Sequence, residues 1–219
     1  MKKKFKFSIA VDGGSASGKS TGSKYISKNF GFKLLSSGKL YRYLAYQIIK
    51  NKLNYNNKFI KKIAKSITIE KLNKKNLYFS DVTKLASIIA KKKYVRNHLK
   101  KFQIDFIKKN PKVIIEGRDI ASKIMPNADL KIFFECSINK KAKRRLMELK
   151  KLNYNLTLKE VKKALKLRDF NDKNRKESPL LFTKGAVLVD TTNLNLNQMR
   201  LKLIRLVKKE INKKKYGSL

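Results

Sequence analysis

Residues 13–20, Gly-Gly-Ser-Ala-Ser-Gly-Lys-Ser, stand between the apolar run Phe5–Val11 and an amphipathic segment that begins at Lys19. This octet satisfies the pattern G-x-x-x-x-G-K-[ST] at every required position. Its glycines let the backbone curl until successive N–H groups point at one anion, and the following helix N-terminus adds its dipole. The order strand, glycine-rich loop, helix therefore predicts a P-loop, which binds the phosphates of ATP or GTP, rather than a chance glycine- and serine-rich turn.

The predicted loop assigns a role to each of its last two residues. We expect Lys19 to reach the β- and γ-phosphates and Ser20 to offer its hydroxyl to Mg²⁺. The nucleotide-binding residues predicted here are Gly13, Gly14, Ser15, Ala16, Ser17, Gly18, Lys19, Ser20 and Thr21.

Apolar runs and amphipathic segments alternate along the 219 residues. Strands are predicted at Phe5–Val11, Phe32–Leu35, Val113–Glu116, Leu130–Phe134 and Ala186–Asp190. Helices are predicted at Lys19–Asn29, Lys39–Lys50, about 82–109, Asn139–Lys151, Thr157–Asn171 and Asn195–Lys213. Continuous apolar strands suit a parallel sheet that is covered on both faces, so the predicted fold class is α/β.

One stretch, residues 54–82, interrupts the alternation. Its pieces Ile67–Glu70 and Asn76–Ser80 are rich in residues that favour strands, and LNKK separates them. We therefore predict a small β-hairpin insertion. At the mouth of an α/β sheet, such an insertion can close over a substrate.

The composition is strongly basic, with 56 Lys+Arg against 15 Asp+Glu and a formal charge of +41. Such a charge attracts polyanions. The lysines are nevertheless spread along the whole chain, without an aromatic-interleaved stripe, and accompany abundant Asn, Ile, Tyr and Phe. We interpret the charge as compositional bias, expect no specific nucleic-acid partner, and expect self-repulsion to keep the protein monomeric.

Location is predicted from three observations. No apolar run approaches the length of a membrane span, so no membrane association is expected. The N-terminal segment leads directly into a strand, without the apolar region of a signal peptide. The single cysteine, Cys136, excludes an internal disulfide and suits a reducing compartment. A cytoplasmic location is therefore expected.

A second cluster follows the predicted strand Val113–Glu116 in the string VIIEGRDIAS. An acidic residue at the end of an apolar strand is the Walker-B arrangement, so Glu116 is expected to act on Mg²⁺ through a water molecule. Arg118 and Asp119 stand at the carboxyl end of the strand, where the chemistry of such sheets occurs, which favours a functional pair over a solvated loop. Arg42, in SSGKLYR, follows another strand in the same way.

A third cluster is the segment RDFNDKNR. Arg168, Asp172 and Arg175 are spaced four and three residues apart, so on a helix they share one face. Guanidinium groups bind phosphate in a bidentate manner and suit a phosphoryl group in transfer. The alternative is a ladder of surface ion pairs, which would contribute little.

In six segments the chain resembles the bacterial cytidylate kinases of the nucleoside-monophosphate kinase superfamily. They are IAVDGGSASGKST, LSSGKLYR, LASIIA followed by YVR, EGRDIAS with MPNADLKIFF, RDFNDKNR, and VLVDTT. The resemblance implies a three-layer P-loop kinase fold with a five-stranded parallel sheet, a small NMP-binding insertion and a short lid. Residues 1–53 and 83–219 would form the core, with the lid at about 148–172, and residues 54–82 the insertion, continuing into the helix 83–109.

The resemblance also implies the site residues. ATP would bind at Gly13–Thr21. Ser37, Arg42, Arg118 and Arg175 match positions around the phosphate of CMP. Ser87, Arg96 and Asp119 match the set that recognises cytosine, and Arg168 and Asp172 match the pair near the ribose. Lys19, Arg118, Arg168 and Arg175 would act as catalytic residues.

The activity implied is direct in-line transfer of the ATP γ-phosphoryl group to CMP or dCMP, giving CDP or dCDP. No protein nucleophile is needed, because catalysis is positioning plus electrostatic stabilisation. Two alternatives remain. One is another P-loop kinase acting on UMP, dTMP or a different small acceptor. The other is a nucleic-acid-binding protein with a regulatory P-loop.

Overall fold

The computed structural model describes residues 5–52, 56–151 and 153–217. The chain forms two compact units, of which the first comprises Met1–Leu34 and Pro111–Leu219 and the second Leu35–Asn110. The core, insertion and lid boundaries given above are functional assignments and stay predictions. Residues 54 and 55 of the insertion and residue 152 of the lid lie outside the described residues.

The sheet has five strands in the order β2-β3-β1-β4-β5. They are β1 Phe7–Gly13, β2 Lys33–Ser36, β3 Lys112–Gly117, β4 Leu130–Glu135 and β5 Ala186–Asp190. The pairs β1–β3, β1–β4 and β4–β5 are parallel. The predicted α/β class and parallel sheet are confirmed, and each strand lies where the apolar runs placed it, within one or two residues.

Eight α-helices accompany the strands in the described part of the chain. They are α1 Lys19–Phe30, α2 Ser37–Lys50, α3 Asn57–Lys65, α4 Ser80–Ile89, α5 Lys93–Lys109, α6 Ile138–Lys150, α7 Leu158–Asn174 and α8 Leu196–Tyr216. Thr157 and Asn195, predicted as first helical residues, are instead N-caps with complete capping boxes. Each cap satisfies backbone N–H groups that the first helical turn leaves unpaired. None of the described helices is long and apolar enough to cross a membrane.

The core of the first unit explains why β1 is central. Ile9 and Val11 of β1 are fully buried, and Ile26 of α1 and Leu203 of α8 belong to the same apolar cluster. Burying an aliphatic side chain of this size stabilises a fold by about 1.5–3 kcal/mol. A strand that is apolar on both faces buries the most apolar surface when it lies between two other strands. In this central position, the loop that follows β1 lies at the carboxyl edge of the sheet.

The second unit contradicts the predicted hairpin. Residues 67–70 and 76–80 contain no strand; two 3₁₀ helices, Glu70–Asn73 and Lys75–Tyr78, occupy this stretch. The helical turns bury Leu72 and Leu77 almost completely. Local strand propensity is a weak preference, and packing of these two leucines outweighs it.

The long helix predicted over about 82–109 is also wrong, because it is two helices, α4 and α5. Lys92 is extended, with φ −89° and ψ 120°, and precedes α5 as its N-cap. The Arg96 guanidinium donates to the carbonyl of Ala90 over 3.1 Å. A side chain thus satisfies a carbonyl at the end of α4 that a continuous helix would have paired with a backbone N–H. The break needs neither glycine nor proline.

Candidate active site

The glycine-rich loop joins β1 to α1 in the first unit. Gly13, Ala16 and Gly18 have φ values of 151°, 55° and 92°. A Cβ atom at position 13 would collide with the carbonyl oxygen of Phe134, so only glycine fits there. Ala16 adopts the left-handed region without that freedom, which is backbone strain of the kind that clusters at ligand-binding turns. The curled loop predicted from the sequence is therefore present.

Lys19 forms a hydrogen bond within the loop. Its Nζ donates to the carbonyl of Gly14 over 2.9 Å, and the Ser17 hydroxyl donates to the same oxygen over 3.0 Å. Burial, and next the neighbouring Arg118, hold the pKa of Lys19 well below its usual range. Glu116 and Asp172 act in the opposite direction but offset burial and the guanidinium only in part. Phosphate oxygens would add negative charge beside Lys19, so the loop suits an anion.

Asp12, the residue before the loop, fixes the segment that follows Asp119. Its carboxylate accepts from the backbone N–H groups of Ile120, over 2.9 Å, and Ala121, over 2.8 Å. These residues begin a single π-type turn, Ile120–Ile124, a feature often found at functional sites. The sequence reasoning missed Asp12. Its signal was the one used for Glu116, an acidic residue at the end of an apolar strand.

The pKa of Asp12 gives a prediction for stability against pH. Burial raises this pKa from 3.8 to about 6, although the two backbone N–H groups act to lower it. As pH rises from about 4 to 6, the unfolded chain ionises Asp12 first, so the folded state loses stability in that window. Asp12→Asn removes this dependence. We expect the unfolding free energy of the variant, minus that of the wild type, to increase by about 2 kcal/mol between pH 4 and 7.

Urea unfolding of both proteins at several pH values measures this difference. A difference that stays constant from pH 4 to 7 would contradict the raised pKa. The pH range below about 3 is uninformative for Asp12, because the carboxyl is then largely protonated in both states.

Glu116 lies at the end of β3 and is 5% exposed. Its Oε2 atom is buried without a hydrogen-bond partner among the described residues. A buried carboxylate oxygen left in this way suits a hydrogen bond to a metal-bound water. Among the described residues, no three His, Cys, Asp or Glu side chains gather to hold a metal.

Arg118 connects the loop to α7. Its Nε lies 2.8 Å from Asp172 Oδ2, and its second terminal nitrogen donates to the Ser15 hydroxyl over 2.9 Å. Arg175 lies 3.6 Å from both Asp172 and Asp119. The structure thus brings together the second and third sequence clusters. Arg175 stands just past the end of α7, in extended backbone, so it does not share a helical face with Asp172 as predicted.

Asp172 remains ionised within this cluster. Burial acts to raise its pKa, but Arg118, Arg168 and Arg175 outweigh burial and hold the pKa below its ordinary value of 3.8. The carboxylate therefore holds the guanidinium groups of Arg118 and Arg175 in contact, with Arg168 close enough to lower its pKa. Clustered arginines that are held by a carboxylate are prepared to receive phosphate oxygens.

Asp169, which the sequence reasoning did not assign, also contacts the loop. It accepts from the Ser15 N–H over 3.0 Å and from Lys141 Nζ of α6 over 2.9 Å. An acidic side chain thus occupies a backbone donor of the anion site. No local spacing signals this contact, because Ser15 and Asp169 are 154 residues apart.

Four predicted residues, Ser37, Arg42, Ser87 and Arg96, lie in the second unit. Ser37 begins α2 and is buried, and Ser87 lies on α4, half-buried. The Arg42 guanidinium lies 5.0 Å from the centre of the Tyr78 ring. Arg96, 8% exposed, lies 5.6 Å from the Tyr41 ring centre. Stacking on aromatic rings fixes the direction of both guanidinium groups.

Comparison with known proteins gives concordant matches. A family model described as cytidylate kinase matches residues 9–209. A cytidylate kinase of Fusobacterium nucleatum is 36% identical, with 94% of this chain and 98% of that protein covered. The cytidylate kinase of Mycoplasmopsis synoviae is 34% identical, with 93% and 99% covered.

Solved structures support the fold alone. A Thermus thermophilus protein superposes with a TM-score of 0.53 at 17% identity, covering 95% of this chain and 99% of that one. An uncharacterized protein from Eubacterium ventriosum gives 0.53 at 14% identity, covering 93% and 99%. The resemblance carried by the six sequence segments is confirmed by the family model and by relatives that match over nearly their whole length. The chain belongs to the cytidylate kinase family.

Proposed function

We propose that this protein transfers the γ-phosphoryl group of ATP to CMP or dCMP by direct in-line displacement, as a kinase of pyrimidine nucleotide metabolism. One observation carries the proposal: a P-loop whose Ser15 hydroxyl meets the Arg118 guanidinium, which the buried Asp172 in turn holds. The Arg118 side chain thus contacts both the loop that would bind the donor phosphates and the carboxylate of the arginine cluster that would meet the transferred group. Family membership identifies the acceptor as a cytidine nucleotide.

The loop Gly13–Thr21 would hold the ATP phosphates through its backbone N–H groups and the N-terminus of α1. Lys19 would exchange the carbonyl of Gly14 for β- and γ-phosphate oxygens. This exchange satisfies the buried ammonium with opposite charge, which the nucleotide-free loop does not provide.

Magnesium would be held by the Ser20 hydroxyl, with Glu116 ordering a water of its coordination sphere. The unpartnered Oε2 atom of Glu116 and the exposed position of Ser20 at the start of α1 support this assignment. When bound, the ion neutralises charge on the β- and γ-phosphates.

The arginines would neutralise the phosphoryl group as it moves. Arg118 contacts the loop at Ser15, and Arg168 is close enough to influence the pKa of both Lys19 and Asp172. Arg175 lies beside Asp119 and Asp172. A transition state with charge spread over three equatorial oxygens suits several fixed guanidinium groups.

The acceptor residues follow the resemblance. Ser37 and Arg42 would join Arg118 and Arg175 at the CMP phosphate. Ser87, Arg96 and Asp119 would read cytosine, whose exocyclic amine donates beside two acceptors. Arg168 and Asp172 would lie near the ribose. Arg96 and Asp119 are 8% and 4% exposed, and each has a partner inside the protein, the Ala90 carbonyl and Arg175 respectively. Side chains held in this way suit the recognition of one base edge.

Substrate comparison tests the proposal. In a coupled assay of ADP release, we expect CMP and dCMP to be turned over with kcat/KM at least about 10²-fold above AMP and dTMP, since a site built to hydrogen-bond one base edge rejects others strongly. UMP, which has a carbonyl where cytosine has its amine, is expected between these groups. A preference for AMP or dTMP would overturn the assignment.

The remaining expectations concern the protein's surroundings. We propose that it acts as a monomer, in the cytoplasm, on small-molecule substrates and without a specific nucleic-acid partner. Self-repulsion at a formal charge of +41 supports the monomer.

A further inference from the structure

Thr191, the residue directly after β5, is 1% exposed and touches the phosphate-binding loop. Its hydroxyl donates to the carbonyl of Ser17 over 2.9 Å, across 174 residues of sequence. Its methyl carbon Cγ2 would lie 3.6 Å from a Cβ atom built on Gly18. The side chain therefore binds the Ser17 carbonyl and lies beside Gly18.

The Arg144 guanidinium of α6 fixes the direction of this hydroxyl. One terminal nitrogen of Arg144 donates to Thr191 Oγ1 over 2.9 Å, and the other donates to the Thr191 carbonyl over 2.8 Å. Since Thr191 Oγ1 accepts a hydrogen bond from Arg144, its single hydroxyl proton is directed to a carbonyl. Ser17, at 2.9 Å, is nearer than Glu135, at 3.2 Å.

The contact has a geometric consequence for the anion site. The carbonyl of Ser17 and the N–H of Gly18 belong to one planar trans peptide and point in opposite directions. Holding the carbonyl towards Thr191 therefore turns the Gly18 N–H away from β5. In a P-loop, such N–H groups cradle the donor phosphates, and a peptide that rotates freely would lose this preorganisation.

We propose that Thr191 is a positioning residue for ATP, oriented by Arg144, which sets the Gly18 N–H for the donor phosphates. It touches no substrate and acts through the Ser17–Gly18 peptide. The proposal rests on the proposed function only in taking ATP as the ligand of the loop.

The test is the affinity for each nucleotide, measured separately by calorimetry. For Thr191→Val, which keeps the shape and removes the hydroxyl, we expect the dissociation constant of ATP with magnesium to rise about tenfold, because buried partners are left unpaired. The dissociation constant of CMP should stay within about twofold. Thr191→Ser, which restores the hydroxyl, should return ATP binding to within about threefold.

Thr192→Val is the matched control. The Thr192 hydroxyl donates to Asp190 and accepts from the Ser137 N–H, so it does not touch the loop. This control should bind ATP as the wild type does. The proposal is overturned if Thr191→Val binds ATP normally, or if ATP and CMP affinities fall equally.

A second variant covers the case in which Thr191→Val does not fold. Arg144→Met removes the donor that orients the Thr191 hydroxyl and should weaken ATP binding about threefold with CMP binding unchanged; normal ATP binding would overturn the proposal. Because ATP binding is measured without acceptor, a wild type that failed to phosphorylate CMP would overturn the proposed function and leave this inference standing.

Discussion

Replacing Lys19 by Met is expected to lower kcat for CMP phosphorylation by about 10²–10³-fold, the cost of removing one preorganised charge at a transition state. Met retains most of the apolar stem, so the change removes chiefly the ammonium. In the nucleotide-free loop that ammonium contacts the Gly14 carbonyl and is buried at a cost that Glu116 and Asp172 offset only in part. Its role in folding is therefore small compared with its role in binding phosphate.

Lys24→Met is the matched control, since Lys24 is exposed on the same helix, α1. It should retain wild-type turnover. Thermal unfolding of both variants separates lost catalysis from lost structure. A Lys19→Met protein that stays folded and retains more than about a tenth of wild-type kcat would contradict the assigned role.

Replacing Arg118 by Ala is expected to lower kcat/KM for CMP by at least about 10³-fold, which is the scale of an arginine that stabilises a transferring phosphoryl group. The guanidinium bridges the Ser15 hydroxyl and Asp172, so its loss also leaves a buried carboxylate short of a partner. ATP affinity measured without acceptor should change much less, because the backbone of the loop remains.

Arg145→Ala is the control for this change, because Arg145 pairs with the exposed Glu148 on the surface of α6. It should leave kcat/KM unchanged. The same pair of variants separates the kinase from a nucleic-acid-binding protein with a regulatory P-loop. If Arg118→Ala phosphorylated CMP normally, the kinase assignment of this cluster would fail, whatever the binding to nucleic acid.

Local sequence was sufficient for much of the fold. The apolar run before Gly13 and the amphipathic segment after Lys19 became β1 and α1, because strand and helix periodicity is a property of neighbouring residues. The same reasoning failed at residues 67–80, where strand-favouring residues form 3₁₀ helices that bury Leu72 and Leu77. It failed again at residues 90–92, where the spacing of apolar residues predicted a continuous helix. There α4 ends, and the Arg96 side chain instead of a backbone N–H donates to the Ala90 carbonyl.

The candidate site divides in the same way. The sequence named Arg118, Asp172 and Arg175 by their positions at strand ends and by helical spacing. It could not show that Arg118 pairs with Asp172, which lies 54 residues further along the chain. It also left Asp12, Asp169 and Thr191 unassigned, since each acts on a backbone group that spacing does not reveal.

By itself, then, the sequence determined the P-loop, the α/β order and the family, because these depend on residue types at short and fixed spacings. Only the tertiary structure decided how the loop is held. With β1 between β3 and β4, the sheet order brings the ends of distant segments to one edge. There Asp12 accepts a hydrogen bond from the Ile120 N–H, and Asp169 accepts one from the Ser15 N–H. The Thr191 hydroxyl donates to the Ser17 carbonyl. Each of these contacts joins residues more than 100 positions apart, and no local pattern indicates which distant segments will come into contact.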